Sequence, residues 1–168
     1  MPVKVKKALT SKGARMMMDA AIARATEFGI AVTVAIVDDG GHLLMLERME
    51  GGRFHTVHSA TTKAATAASN KRPTASKGAQ GQELNVLQAL GLTLASGPQN
   101  WTALEGGYPV MVANECIGAV GVAGGDGKQD KEIARAALTA VGASIVTKVK
   151  ESLAQRSSQN LFLGRGIN

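Results

Sequence analysis

The chain has 168 residues and a mass of 17.3 kDa, a length that suits one domain burying roughly two-thirds of its unfolded surface. Its 45% hydrophobic and 19% charged residues argue against overall disorder, and the single cysteine, Cys116, excludes an intrachain disulfide framework and a Cys-based zinc cluster. Lys and Arg outnumber Asp and Glu by 19 to 13, giving a net charge of +6, but the surplus is scattered and aromatic residues are only 3%, which argues against nucleic-acid binding.

The hydropathy pattern also argues against a membrane partner. No segment reaches the ~18 consecutive apolar residues that a membrane helix needs. The N-terminal residues Met1 to Lys7 are not followed by the apolar core of a secretory signal. The sequence therefore predicts a soluble cytoplasmic protein.

The hydrophobic periodicity predicts helices and strands in the order helix, hairpin, helix, helix, hairpin, helix. In chain order they begin with a helix that is capped by Thr10 or Ser11 and runs to about Phe28. Strands over 30–37 and 42–49 follow around an Asp38–Gly41 turn, then helices over 56–70 and 81–94. Strands over 108–113 and 116–123 around an Asn114–Glu115 turn precede a helix over 129–149.

Hairpins rather than crossover connections predict an α+β fold, with an antiparallel sheet layered against helices in a single domain. We place that domain at residues 1–150 and a polar C-terminal tail at 151–168. The tail contains one apolar group, Leu161-Phe162-Leu163, and the helices are rich in small residues, so we expect apolar surface that is covered in a homo-oligomer, with the tail as one contact.

Two glycine-rich turns are candidate ligand sites. Glu105 precedes Gly106 and Gly107, where a backbone without side chains could approach a ligand beside a carboxylate. Gly124 and Gly125 lead into the last helix, whose N-terminal N–H groups suit a carboxylate or phosphate. Neither turn matches a dinucleotide fingerprint or a P-loop.

Four side chains add candidate chemistry. His55 and His58 are three residues apart, so on a helix both can face one side and ligate a tetrapyrrole iron, although without a carboxylate or Cys partner the pair does not predict a metal-ion site. Arg48 could clamp an anion with its planar guanidinium. Lys63 lies among alanines and, if it is desolvated, requires a carboxylate partner; otherwise its ammonium reaches solvent.

Several motifs in order resemble the GlcG/HbpS-like family, long catalogued as a domain of unknown function and also found as the C-terminal domain of some cobalamin adenosyltransferases of the propanediol-utilisation type. The resemblance covers about Leu9 to Val146. The motifs are Val34–Gly41, Arg48–Gly51, Lys63–Ala67, Gly106–Val110, Gly118–Gly124, and Gln129-Asp130 with Ile133-Ala134.

The resemblance implies an antiparallel sheet of about five strands flanked by helices, and homo-oligomers, often octamers. Family members include haem-binding and corrinoid-associated proteins and products of operons for small-molecule catabolism. This chain departs from the usual pattern at Glu105, where the family has an uncharged residue, and it lacks the export signal of the secreted haem-binding members. The cytoplasmic, catabolic branch is therefore the nearer expectation.

Three hypotheses about function remain open. The first is an enzyme of hydrolytic, hydration or tautomerisation type, requiring no cofactor, in which Arg48, Lys63 and the turn glycines hold a small carboxylate while Glu105, or one of the histidines, transfers protons. The second is a protein that binds haem or a corrinoid through His55 or His58 without turnover. The third is an accessory oligomer of a catabolic operon that has no site of its own.

Overall fold

A computed structural model describes residues 2–144 of the chain. It contains four helices and four strands: α1 (Ser11–Glu27), β1 (Thr33–Asp38), β2 (Leu43–Arg48), α2 (Thr56–Asn70), α3 (Val86–Ser96), β3 (Gly107–Val112), β4 (Glu115–Ala123) and α4 (Gly127–Ala140). Within these residues no helix combines the length and the apolar character needed to cross a membrane.

The four strands form one antiparallel sheet in the order β2-β1-β4-β3. Each predicted hairpin is present, and β1 of the first pairs with β4 of the second, which joins the two hairpins into one sheet. This arrangement confirms the α+β class. The described residues contribute four strands, against the expected number of about five.

The sheet separates two hydrophobic layers. On one face α1 and α4 pack together through large side chains, including Met17, Met18, Ile133 and Leu138, against the inward residues of β1, β3 and β4. On the other face α2 packs through a stripe of small residues against β1 and β4. Alternate residues of each strand point to opposite faces, so β1 supplies both layers.

The alanine stripe of α2 allows this helix to lie unusually close to the sheet. Gly121 of β4 lies directly under the α2 backbone, where an added Cβ would collide with the carbonyl oxygen of Ala60 and the nitrogen of Ala64. Because neither contact is a flexible side-chain end, the close approach depends on glycine at this position. It holds the side chains of α2 at a fixed height above the end of β4.

The largest differences from the predicted elements lie at helix ends. The last helix ends at Ala140 instead of continuing to 149, because Gly142 adopts a left-handed φ of 63° and the backbone N–H of Ser144 then bonds to Met111 of β3. The predicted 81–94 helix begins only at Val86, where Asn85 and Gln88 form a capping box.

Smaller differences occur at strand ends and turns. The first strand begins at Thr33 because Ile30 is still bonded to the end of α1, with its N–H donating to Ala25. The tight turn of the second hairpin is formed by Ala113 and Asn114, both at positive φ, and Glu115 already belongs to β4. The predicted tail at 151–168, with its Leu161-Phe162-Leu163 group, lies outside the described residues.

Candidate functional site

A cavity of about 270 Å³ opens at the end of β4, where this strand turns into α4. Its walls come from the first turns of α2, the loop before β3 and the β4–α4 turn. The lining residues are Arg53, His55, Thr56, Ser59, Lys63, Leu104, Glu105, Ala123, Gly124, Gly125, Gly127 and Asp130.

Helical spacing explains which α2 side chains reach the cavity. His55, Ser59 and Lys63 are four residues apart, so they lie on one face of the helix. His58 lies off this line and does not contribute to the cavity wall. The predicted histidine pair is therefore split, with only His55 at the site.

The floor of the cavity is a buried ion pair between α2 and α4. Lys63 and Asp130 are 5% and 3% exposed, and the Lys63 Nζ lies 2.7 Å from the Asp130 Oδ2. The same ammonium donates to the carbonyl oxygen of Val122, also at 2.7 Å. An ammonium has three N–H donors, so one remains without an acceptor among residues 2–144, and it belongs to a side chain that lines the cavity.

Asp130 is the carboxylate that the buried lysine requires. Burial penalises its charged form and raises the pKa of the carboxyl group above its usual value, although the hydrogen bond and the charge of Lys63 oppose this shift. Its second oxygen accepts the backbone N–H of Gly125 at 3.0 Å. A carboxyl group with a raised pKa beside a lysine in a cleft is a candidate acid or base.

Gly106 and Gly107 serve packing around this ion pair. An added Cβ on Gly106, at φ 113°, would lie 3.1 Å from the Lys63 Nζ and 2.8 Å from the Asp130 Cβ. Gly107 donates its N–H to the Thr74 hydroxyl at 2.8 Å, and its carbonyl accepts from the Thr74 N–H. The close backbone approach expected at these glycines is thus made to atoms of the protein itself, including the backbone carbonyl oxygens of Val122 and Lys63, and neither glycine lines the cavity.

The turn at Gly124 and Gly125 lines the cavity, but its anion-binding capacity is largely used internally. The Gly125 N–H is bonded to Asp130, and the Asp126 carboxylate accepts the N–H groups of Lys128 and Gln129 at the start of α4. The positive end of this helix is therefore capped by a carboxylate of the chain itself. This differs from the expected free N–H groups.

Two of the predicted charged residues occupy contrasting positions. Glu105 is on the cavity rim, with its side chain 46% exposed and 3.1 Å from the ammonium of Lys131. Arg48 is outside the cavity: its guanidinium donates to the carbonyl oxygen of Gly52 at 2.8 Å. The structure thus brings Glu105, Lys63 and His55 together and leaves Arg48 apart.

The sequence interpretation missed Arg53, Ser59 and Asp130 as cavity residues. Asp130 could have been identified from the sequence, because it lies three residues before Ile133 and therefore on the buried face of α4. A buried acidic side chain needs a cationic partner. Ser59 lies between His55 and Lys63 on the same helical line. Arg53 precedes α2, and no periodicity marks a loop residue.

Comparisons with known proteins identify the family. The model of the family described as "Haem degrading protein HbpS-like" matches residues 9–139. Protein GlcG of Escherichia coli K12 is 38% identical over 120 residues, which cover 71% of this chain and 84% of GlcG.

Two solved structures extend this similarity to the fold. Klebsiella pneumoniae protein ORFY is 33% identical with a TM-score of 0.74, covering 86% of this chain and 97% of ORFY. The structure described as a PduOC:heme complex is 27% identical with a TM-score of 0.71, covering 82% of this chain and 98% of that one. The match of the family model over most of the chain agrees with the motif-based resemblance, and the chain belongs to the HbpS-like family.

Proposed function

We propose that this protein binds haem at the cavity, with His55 as the iron ligand. The observation that carries the proposal is the position of His55 on the cavity wall in a chain of the HbpS-like family. The similar PduOC structure is a haem complex, and the family is described as haem-degrading. An imidazole nitrogen is a common ligand of haem iron.

The residues around His55 fit one edge of a haem. The imidazole is exposed and has no hydrogen-bond partner among residues 2–144, so a ring nitrogen is free to ligate. The ring of Phe54 packs edge-on at 5.7 Å, and Leu104 adds exposed apolar surface for a macrocycle. Arg53 offers a guanidinium for a propionate.

The size of the cavity limits how haem would be held. At about 270 Å³ it lies just below the range of roughly 300–1,000 Å³ that is usual for enclosed small-molecule sites. We therefore expect a partly exposed haem, with its iron held by His55 and one acidic edge held by Arg53. Bound haem would supply a redox-active iron.

Hemin titration followed by visible absorption tests this proposal. The wild-type protein should give a saturable Soret band, and His55→Ala should abolish or shift it. His58→Ala is the matched control, because it removes another exposed histidine, which lies in the first turn of α2 but outside the cavity. A non-saturating spectrum with wild type, or an unchanged band in His55→Ala, would contradict the proposal.

A second candidate function is acid–base conversion of a small carboxylate in the same cavity. The observation that favours it is the convergence of Lys63, Asp130 and Glu105 in a space suited to a small molecule. The remaining N–H of Lys63 and the guanidinium of Arg53 would hold the carboxylate, while Glu105 or Asp130 transfers a proton. In this version Arg53 takes the role that the sequence suggested for Arg48.

Turnover measurements with small unsaturated carboxylic acids test the second candidate. For an acid that is converted, Glu105→Gln should lower kcat by about 10²–10⁴-fold, the usual contribution of a general acid or base. Glu132→Gln is the control, since Glu132 is an exposed carboxylate of α4 outside the cavity. A kcat within threefold of wild type would remove Glu105 from the mechanism and leave Asp130 as the proton-transferring group.

A further inference from the structure

Lys63 places an amino group in the wall of the cavity. The side chain is buried in the molecule as a whole, and it is nevertheless one of the residues that line the cavity. Two of the three N–H groups of its ammonium donate to Asp130 and to the carbonyl oxygen of Val122. The third position on the Nζ has no partner among residues 2–144, so it is the side from which a small molecule in the cavity can approach this atom.

Asp130 provides the proton transfer that an amino group needs before it can react as a nucleophile. An ammonium has no lone pair, and the Asp130 Oδ2 lies 2.7 Å from the Lys63 Nζ, which is close enough for direct transfer of a proton. Burial raises the pKa of the Asp130 carboxyl group, so it accepts a proton more readily than an exposed aspartate. A lysine in such surroundings can reach its neutral, nucleophilic form.

The charges around the cavity favour a substrate with one acidic group. Lys63 is paired with Asp130, and Glu105 on the rim is paired with Lys131 at 3.1 Å. The guanidinium of Arg53 lines the same cavity and has no hydrogen-bond or ion-pair partner among residues 2–144. One uncompensated cation therefore remains at the cavity, and a planar guanidinium binds a carboxylate through two parallel hydrogen bonds.

We propose that Lys63 forms a protonated imine with the carbonyl carbon of a small 2-oxo acid, whose carboxylate is bound by Arg53. Asp130 takes one proton from the ammonium. The neutral amine then attacks the carbonyl carbon, and one amine proton passes to the carbonyl oxygen to give a carbinolamine. Asp130 returns its proton to the hydroxyl group, the C–O bond breaks, and water leaves as the C=N bond forms.

The product keeps the charge balance at the floor of the cavity. The protonated imine carries the same positive charge as the ammonium that it replaces, so the buried carboxylate of Asp130 retains a cationic partner. Its formation consumes no oxidant or reductant, because an amine and a carbonyl compound give only the imine and water.

This covalent role of Lys63 rests on the second candidate function, because it uses the same cavity and replaces the hydrogen bond of Lys63 to the substrate. A protonated imine withdraws electrons from the adjacent carbon and makes a C–H bond on that carbon acidic. Glu105 on the rim is the carboxylate that would accept this proton, while the electrons of the C–H bond form the C=C bond of an enamine. The reaction class is therefore proton transfer next to a carbonyl group.

Reductive trapping in the full-length protein tests for the imine. Pyruvate is the probe, sodium cyanoborohydride reduces any imine to a stable secondary amine, and peptide mass spectrometry measures the labelling of each lysine. A buried lysine with a purely structural role would be labelled more slowly than an exposed one. We expect Lys63 instead to be labelled about tenfold or more faster than exposed Lys12, because its amine is held beside the bound carbonyl. Labelling of Lys63 that is no faster than that of Lys12 overturns the proposal.

A comparison of pyruvate with acetone tests the role of Arg53. Acetone has no acidic group, and the labelling of Lys12 in the same samples corrects for the different reactivity of the two ketones. A charge-assisted hydrogen bond contributes roughly 10- to 150-fold in binding, so the pyruvate-to-acetone ratio at Lys63 should exceed that at Lys12 by about tenfold or more. Arg53→Gln should remove this excess, whereas Arg15→Gln, at an exposed arginine of α1 outside the cavity, should retain it. An excess that survives in Arg53→Gln contradicts the proposed binding of the carboxylate.

The dependence of labelling on the amine itself is measured in a double variant. Lys63→Met/Asp130→Asn removes the amine without leaving a buried charge unpaired. Lys128→Met is the matched control, because it removes an exposed lysine in the first turn of α4 outside the cavity. Saturable labelling by pyruvate should be lost in the double variant and retained in Lys128→Met, and equal labelling of the two contradicts the imine. If the double variant does not fold, the comparison of Lys63 with Lys12 in the wild-type protein still decides.

Loss of the imine and loss of the proposed function give different results. Haem binding is measured by the Soret band, and the second candidate function is measured by turnover of acids that contain no carbonyl group besides the carboxylate. If such an acid is converted while Lys63 is labelled no faster than Lys12, the imine is excluded and the second candidate function stands. Fast labelling of Lys63 without turnover of these acids supports the imine and restricts the substrate to 2-oxo acids.

Discussion

Lys63 and Asp130 connect three elements with two side chains. The ammonium of Lys63 bonds to the Asp130 carboxylate of α4 and to Val122 of β4, while Asp130 also accepts the N–H of Gly125. All of these contacts are formed at the floor of the cavity, so the pair fixes its shape as well as its charge. A surface ion pair would contribute little to stability. Removing one partner of a buried pair, in contrast, strongly destabilises the fold, because the remaining charge is buried without a counter-charge.

Removal of one partner should therefore destabilise the fold. Lys63→Met leaves the Asp130 carboxylate buried without its cation, and we expect the free energy of unfolding to fall by about 3–5 kcal/mol, measured by urea denaturation. The double variant Lys63→Met/Asp130→Asn keeps an oxygen for the Gly125 N–H and removes the unpaired charge, so it should recover much of the loss. If the losses of the two single variants simply add in the double variant, the pair is not energetically coupled.

The order and type of the helices and strands could be predicted, because periodicity and glycine-rich turns record them directly. The boundaries of the helices and strands were harder to predict from the sequence. After the left-handed Gly142 that ends α4, the backbone N–H of Ser144 bonds to Met111 of β3, and this contact joins residues that are distant in the sequence. The start of α3 at Asn85 could have been found from its capping box, since asparagine followed three residues later by glutamine is a local signal.

The sequence could also predict which side chains share one face of a helix, because this follows from helical spacing once the helix is predicted. The sequence predicted His55 and Lys63 as site residues, and their four-residue register with Ser59 places both at the cavity. The i, i+3 spacing of His58 was compatible with a shared site, but the orientation of α2 against the sheet excludes it from the wall. That orientation depends on Gly121 and the alanine stripe, and therefore on tertiary packing.

At the scale of the whole molecule, the family and the fold class followed from motifs in order, whereas the composition of the site did not. Arg48 and Arg53 are five residues apart and chemically identical, yet only Arg53 reaches the cavity. The choice between them is made by the direction of the chain after β2, which no local pattern encodes. Likewise, α3 is exposed within the residues that the structure describes, although its leucine content suggests a buried helix.

The salt dependence of assembly follows from the net charge of the molecule. Each copy carries +6, so copies in the homo-oligomer that the sequence predicts repel one another at long range. Raising the NaCl concentration from about 0.1 M to about 1 M shortens the screening length from roughly 10 Å to 3 Å and weakens that repulsion.

We therefore expect the Kd for self-association to decrease as salt is raised, as measured by sedimentation equilibrium. An interface built from ion pairs between copies would behave in the opposite way, since salt screens attraction as well as repulsion. A Kd that increases with salt would therefore show that attraction between charged groups, and not repulsion between cationic copies, dominates the assembly.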